Sequence, residues 1–430
     1  MNASSAAVPF VSDLVLIGGG HAHVHVLKML GMPPWRTLLQ RQGIRITLIA
    51  KDLHTPYSGM LPGYVSGHYS WDDIHLDCQV LARFCNARLI HASATRITYN
   101  NNNSSTTTNN NNNTATGGGW IEVDDGRPPV RYDCLSIDIG SAPAASDSVY
   151  HASAVVSHQQ TTGNQHQNNN NHNNNDPDRS HVIPVKPIVN FTRFYEGLKA
   201  KWEAREKNNN DNWDDGEAAP YTICVAGGGA GGIELALSLH YKLWQHTTHN
   251  NNNHNTMSPP NAFRVMLVTR GDTLLESHNA AVQRMFRRIL RERHIGVLYQ
   301  ADVVGVKDVV AVGTKRHRKC LILTPESAQY HPDPIVFDDC IWCVTAGVSS
   351  WLASATPFAT TEQGFVRVND TYECIHHPGV FAAGDCCHMD KHPRPKGRFG
   401  NPNDAPAGYA PYLPHHSLSH VPSPILLHLG

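Results

Sequence analysis

Apolar residues in this chain fall into short unbroken runs, and two of these runs are each followed by a helical pattern and then a second run. Residues 14–17 (LVLI) form the first run, 21–30 can wind into a helix, and 44–50 (IRITLIA) form the second run. Gly31 closes that helix, with Pro33 and Pro34 beyond it; glycine readily takes the left-handed backbone of a helix end, and proline cannot continue a helix. The arrangement recurs later. Residues 222–226 predict a strand, 230–244 a helix and 264–269 another strand. A further helix follows with Asn279 as its N-cap, and Val282, Met285, Phe286, Ile289 and Leu290 spaced to share one face. Strands that are apolar throughout suit burial on both sides. Two β-α-β units therefore predict parallel sheets covered by helices, an α/β fold.

Polar tracts interrupt this pattern at 100–119, 159–178, 207–216 and 246–260. They carry too little apolar surface to offset the entropy of ordering them, so they predict mobile surface loops. His166, His172, His249 and His254 lie inside them and could chelate a metal, but a polar expansion explains them as well. At ~100–200 residues per domain, the 430 residues imply two or three domains. Lys and Arg total 35 against 36 for Asp and Glu, a net charge of −1, which argues against a nucleic-acid partner. No run of 18 apolar residues is present, so no transmembrane helix is predicted. The start, MNASSAAVPFVSD, has no basic residue and reads as neither signal nor transit peptide. The expectation is an intracellular protein, soluble or peripheral, of unassigned organelle. Several of the ten cysteines lie inside apolar runs, which suits small buried hydrophobes better than a secreted disulfide frame. Cys340 and Cys343 form a C-x-x-C at the end of an apolar strand, where residues three apart face opposite ways. No second pair completes a zinc site, and no metal site is assigned.

Both β-α-β units carry glycines at the turn from first strand to helix. In the second, Gly227, Gly228, Gly229, Ala230, Gly231 and Gly232 satisfy G-x-G-x-x-G. The first glycine permits the tight turn, the second lets backbone approach a pyrophosphate, and the third lets helix pack on strand. The first unit reads Gly18, Gly19, Gly20, His21, Ala22, His23, with a histidine at the third position. His21, His23 and His25 do not share a helix face, so His21, together with His23, is expected near a dinucleotide rather than a metal. An acid at the end of the second strand would bind ribose hydroxyls. Asp52 could serve in the first unit, two positions late. In the second unit Thr269 and Arg270 stand there instead, and a guanidinium matches the 2′-phosphate of NADP. Downstream, Gly379–Val380–Phe381–Ala382–Ala383–Gly384–Asp385 delivers a Gly-Asp pair at a strand end. Two shorter strand-to-glycine endings precede it, at 133–140 (DCLSIDIG) and 340–347 (CIWCVTAG).

Taken together, GGGHAH, GGGAGGIE, VTAG and GVFAAGD resemble the pyridine-nucleotide flavoproteins, the pyridine nucleotide-disulphide oxidoreductase superfamily. The stretches LVLIGGGHAHVHVL, HTPYSGMLPGYVSGHY and IHLD resemble the branch related to type II NADH dehydrogenases, which includes the flavoprotein module fused to selenide, water dikinase. The resemblance runs from about Asp13 to Lys396 and implies two Rossmann-like three-layer domains, the NAD(P) domain inserted in the FAD domain. The implied boundaries are 11–158 and 333–396 for FAD, 180–332 for NAD(P), and 397–430 for an irregular tail rich in Pro, Gly and His.

By the same resemblance, Gly18, Gly20, His21 and Ala22 face the FAD pyrophosphate, Gly140 lies beside FAD, and Gly384 with Asp385 binds its ribityl chain. Gly227, Gly229 and Gly232 hold NAD(P)H, with Gly347 beside it, and Glu234 matches a glutamate near the meeting of nicotinamide and flavin. A helix N-terminal acid complementing the dipole is the plainer reading of Glu234. Residues 57–62 (YSGMLP) match the segment that passes over the flavin ring. The disulfide-reductase branch carries C-x4-C after its first unit; this chain has TPYSGMLPG, so electrons are expected to pass directly to an acceptor, a quinone. The family's helix facing the flavin, and the segment that docks on membranes, are not legible after Lys396. Two other readings are a non-catalytic dinucleotide or redox sensor, and a flavoprotein tied to selenium metabolism.

Overall fold

The computed structural model describes residues 9–100, 118–143, 182–207, 220–248, 263–309, 318–343 and 346–392. The polar tracts, apart from their ends, and the tail from 397 lie outside these residues. In chain order the main elements are β1 (Ser12–Ile17), α1 (His21–Gly31), α2 (Pro33–Arg41), β2 (Ile44–Ala50), β3 (Arg88–His91) and β4 (Cys134–Ile137). They continue with β5 (Val182–Pro184), α3 (Ile188–Lys207), β6 (Tyr221–Ala226), α4 (Ala230–Thr248), β7 (Phe263–Val268) and α5 (Ala280–Glu292). Last come β8 (Gly296–Leu298), β9 (Asp339–Trp342) and β10 (Val380–Ala382).

Two compact units result. One is drawn from Met1–Tyr57, His75–Ala142 and Gly347–Gly430, the other from Ser58–Ile74 and Pro143–Ala346. The first unit has a parallel sheet in the order β10-β4-β1-β2-β3, with Ile17 paired to Ile49 on one side and Ile137 on the other. Along β1 the side chains alternate. Leu14 and Leu16 pack with Leu27 and Leu30 of α1, while Val15 and Ile17 pack on the opposite face. That second face is covered by an antiparallel sheet of Ala94–Asn100, Gly118–Val123 and Val130–Tyr132, through Ile97, Ile121 and Tyr132.

The second unit repeats the plan. Its sheet runs β5-β9-β6-β7-β8, and its antiparallel layer is Val303–Val309, Arg318–Leu323 and Val336–Phe337. Ile223 and Val225 of β6 face the helices, with Ile233 and Leu239 of α4; Cys224 and Ala226 face the antiparallel layer, with Leu321 and Phe337.

Among the described residues, helices cover one face of each parallel sheet, and alternating strands such as 94–100 present a single apolar side that closes the other face. Three expectations need correction. Residues 333–346, expected in the returning half of the FAD domain, belong to the second unit: Cys340 of β9 pairs with both Val182 and Cys224. The strand is apolar throughout, and that pattern suits a central position in either sheet. Residues 58–74, expected in the first domain, also go to the second unit, where Leu61, Tyr64 and Val65 join the core. On α5 the Asn279 side chain accepts from the Val282 N–H at 3.0 Å, and Leu290 is buried. Met285, expected on that buried face, is 44% exposed.

Candidate dinucleotide sites

In each unit the candidate site is the turn from the central strand into the next helix. In the second unit, Gly227, Gly228 and Gly229 reverse the chain between β6 and α4. Gly227 has φ +130° and donates its N–H to the Val268 carbonyl at 2.8 Å; a Cβ there would lie 2.1 Å from the Cys343 carbonyl oxygen. A Cβ on Gly232 would lie 1.9 Å from the Gly227 carbonyl oxygen, so α4 packs directly on the turn. Gly229 differs, with no atom within 4 Å of its Cβ position. The start of α4 is exposed there, a place where backbone and helix dipole can meet a phosphate.

The first unit repeats these contacts. Gly18 has φ +95°, donates to the Ile49 carbonyl at 2.8 Å, and would set a Cβ 2.2 Å from the Asp138 carbonyl oxygen. Asp138 donates its N–H to the Ile17 carbonyl at 2.9 Å, as Cys343 does to Ala226 at 2.8 Å. Asp138 and Cys343 are therefore equivalent positions, each the first residue beyond the neighbouring strand.

Two residues distinguish the first turn. His23 replaces the third glycine, and it holds the turn by hydrogen bonds instead of close packing. Its Nδ1 is 2.7 Å from the Gly18 carbonyl oxygen and its Nε2 2.8 Å from Ser136 Oγ. A carbonyl can only accept, so Nδ1 carries the proton and Nε2 accepts from the Ser136 hydroxyl. Burial lowers the His23 pKa and keeps the ring neutral. His23 is 1% exposed and faces the sheet, which corrects the expectation that it lies beside a dinucleotide. Among the described residues, no group of three or more His, Cys, Asp or Glu is placed to hold a metal.

The other residue is Asp138, which is 2% exposed. Its Oδ2 accepts from the Ala22 N–H at 2.9 Å and the His23 N–H at 3.3 Å. A Cβ on Gly20 would lie 2.2 Å from this carboxyl group, and one on Gly384 2.5 Å from Oδ1. Burial pushes the carboxyl pKa up, while the donating amides of Ala22 and His23 and the nearby His21 pull it down. Sequence reasoning missed Asp138. The signal present was an acid one residue past an apolar strand, two before Gly140.

Around it, His21 opens α1 with its ring 4.5 Å from that of Tyr57. His21 Nε2 is buried without a hydrogen-bond partner, and burial lowers the pKa of the ring against the pull of Asp138 and Asp385. Gly140 has φ +68° and open space at its Cβ position. Asp385 Oδ2 accepts from the Ser141 hydroxyl at 2.9 Å. Gly20, His21, Ala22, Gly140, Gly384 and Asp385 thus gather around Asp138. Asp52 stands exposed two residues beyond β2.

In the second unit Arg270 is exposed just past β7. The acid missing from that strand end returns from further on. Leu275 donates its N–H to the Gly228 carbonyl at 3.0 Å, and a Cβ on Gly271 would lie 2.0 Å from Glu276 Oε1. Sequence reasoning missed Glu276, because a loop fold brings it back. Glu234, on α4, keeps an exposed edge, and partial burial raises its carboxyl pKa. The place beside the Gly227 turn is taken by Cys343, while Gly347 begins the return to the first unit. Cys340 faces the opposite core, against Cys224, and burial pushes the Cys343 thiol up to about 11. All ten cysteines are free thiols. Tyr57 stays in the first unit, whereas Ser58 onward packs in the second.

Fold and turns together define an α/β protein of two units, each with a glycine turn of the dinucleotide-binding kind between its central strand and the next helix. Residues 191–408 match the pyridine nucleotide-disulphide oxidoreductase family, and the chain belongs to that family. No curated protein matches it. Among solved structures, the water-forming NADH oxidase of Lactobacillus brevis, bound to NADH, is similar at 14% identity and a TM-score of 0.53, over 88% of this chain and 63% of its own. NDH2 of Plasmodium falciparum in complex with NADH is similar at 14% and 0.55, over 88% and 65%. A ferredoxin reductase of Rhodopseudomonas palustris is similar at 14% and 0.56, over 88% and 69%. The chain thus spans less than two thirds of the first two proteins. No described helix is long and apolar enough to cross a membrane.

Proposed function

We propose that this chain is a flavoprotein that takes hydride from NAD(P)H and delivers the electrons to a small acceptor, a quinone, without a cysteine pair. The observation that carries the reading is the duplicated glycine turn, built with the same contacts in two separate parallel sheets. Family membership supports it, as does the sequence TPYSGMLPG after β2, which holds no C-x4-C.

Two features fit the first unit to FAD: the orphaned Nε2 of His21, and the open space at Gly140. Bound FAD would supply the ring that accepts hydride and returns electrons to the acceptor. Gly18, Gly20 and Ala22 offer it backbone, and His21 a ring nitrogen. Asp385, steadied by Ser141, is suited to ribityl hydroxyls. In the second unit Gly227, Gly229 and Gly232 form the NAD(P)H cradle. Arg270 suits a 2′-phosphate and Glu276 a ribose 2′-hydroxyl. Glu234, with its raised carboxyl pKa, is the group able to hold a proton near that turn.

The test is flavin content and quinone reduction in the purified protein and in Asp385→Asn. The proposal expects one FAD per chain, NAD(P)H-dependent quinone reduction, and weakened flavin retention in the variant. Nucleotide binding without turnover on any quinone would leave only a binding or sensing role.

A further inference from the structure

The Asp138 carboxylate has no counterpart in the second unit, where the equivalent residue is Cys343, although Gly18 and Gly227 make matching backbone contacts in the two turns. Where the second turn places the thiol of Cys343, 3.3 Å from the Cβ position of Gly231, the first places a carboxylate against the start of α1. The amides of Ala22 and His23, in the first turn of α1, donate to that carboxylate. Gly20 and Gly384, glycines expected to admit a cofactor, here give their side-chain space to the same group. A helix N-terminus favours one anion. A second anion brought against a buried carboxylate is strongly disfavoured while both are ionised.

We propose that Asp138 stands in for the cofactor's pyrophosphate at the start of α1, and that FAD binding in the first unit is completed by uptake of one proton on the Asp138 carboxylate. The inference rests on the flavin reading above. The balance is simple: the carboxylate plus one solvent proton becomes a neutral carboxylic acid as the dianionic pyrophosphate enters. A neutral acid still accepts hydrogen bonds and gains an O–H to donate, so the α1 amides can turn to the phosphate at little loss. The titratable groups facing Asp138 are His21 and His23 from α1, with Asp385 from the turn after β10 as the further charge beside His21. His23 is fixed as a neutral ring between Gly18 and Ser136, which leaves His21 as the competing proton acceptor. Burial already raises the Asp138 pKa before any cofactor enters, the direction that favours taking up a proton when a second anion arrives.

The experiment is calorimetric titration of FAD into the flavin-free full chain, in buffers of differing ionisation enthalpy and across pH 5.5 to 8.5. For the unaltered protein the result expected is close to one proton taken up per FAD, with Kd weakening about tenfold per pH unit above the Asp138 pKa. Asp138→Asn should bind FAD with a flat pH dependence and no proton uptake, while His21→Asn, which removes a proposed FAD contact, should bind more weakly and still take up one proton. FAD binding without proton uptake in the unaltered protein would overturn the proposal, even if Asp138→Asn failed to fold. Equal uptake in Asp138→Asn and the unaltered chain would also overturn it, and loss of the uptake in His21→Asn would give the proton to His21 instead. Failure to bind FAD at every pH would refute the flavin reading itself, and the proton coupling with it.

Discussion

Replacing His23 with leucine tests whether this histidine supports the first turn or serves a ligand. Leucine matches the buried volume roughly but makes neither hydrogen bond. It leaves the partly buried Gly18 carbonyl and the buried Ser136 hydroxyl, bonded to the ring at 2.7 and 2.8 Å, without their partner. A buried polar group stripped of its partner costs ~1–3 kcal/mol, so two such groups put His23→Leu at ~2–5 kcal/mol. Ser136→Ala removes only one bond and should cost ~1 kcal/mol. In His23→Leu/Ser136→Ala the stranded hydroxyl is gone, so the double variant should recover ~1 kcal/mol or more relative to the sum of the singles. His23→Gly restores the glycine of the motif, yet it should destabilise at least as much because it opens a cavity. Urea unfolding of the four proteins, compared with the unaltered chain, supplies the cycle. Strict additivity, or a His23→Leu protein within ~0.5 kcal/mol of the unaltered chain, would refute the account of the turn.

Three further outcomes follow from the same geometry. Gly229→Ala should fold normally, since its Cβ position is open, yet lose NAD(P)H affinity, whereas Gly232→Ala, 1.9 Å from a carbonyl oxygen, should lower the melting temperature; circular dichroism melts and nucleotide titration separate the two. Arg270→Ala should weaken NADPH about ten- to a hundredfold and leave NADH nearly unchanged if the guanidinium binds a 2′-phosphate, read from the KM values for the two donors. His240 is buried, and desolvation, with repulsion from Arg293 and His294, pulls its pKa down to about 4. Above pH ~6.5 the ring is neutral folded or unfolded; below that only the unfolded chain takes the proton, so stability falls by ~3 kcal/mol between pH ~6.5 and ~4. His240→Leu should remove most of that acid sensitivity in urea unfolding at pH 7 and pH 4.5.

What the sequence disclosed was local. The runs that became β1, β2, β6 and β7, and the Asn279 cap of α5, are set by nearest neighbours, and the structure keeps them to within two residues. The glycine turns were legible for the same reason: φ values of +95° and +130° at Gly18 and Gly227 need that residue wherever they occur. Features fixed by partners distant in sequence were not legible. Asp138 matters because the fold brings it to Ala22, 116 residues away. Glu276 reaches the second turn only through a loop that doubles back to Gly228. β9 could not be assigned to a sheet by its apolar run, since its partners Val182 and Cys224 are chosen by topology. Sequence placed His23 correctly on the helix but not its orientation, which depends on Ser136 of a strand over a hundred residues on.

The measurement closest to the central claim is the visible spectrum of the purified chain, taken anaerobically before and after NADPH and then NADH. The account predicts flavin bands that bleach on addition of a reduced nicotinamide and return when a quinone is added. Bands that NADPH and NADH both leave unchanged, in a protein that holds FAD, would contradict it.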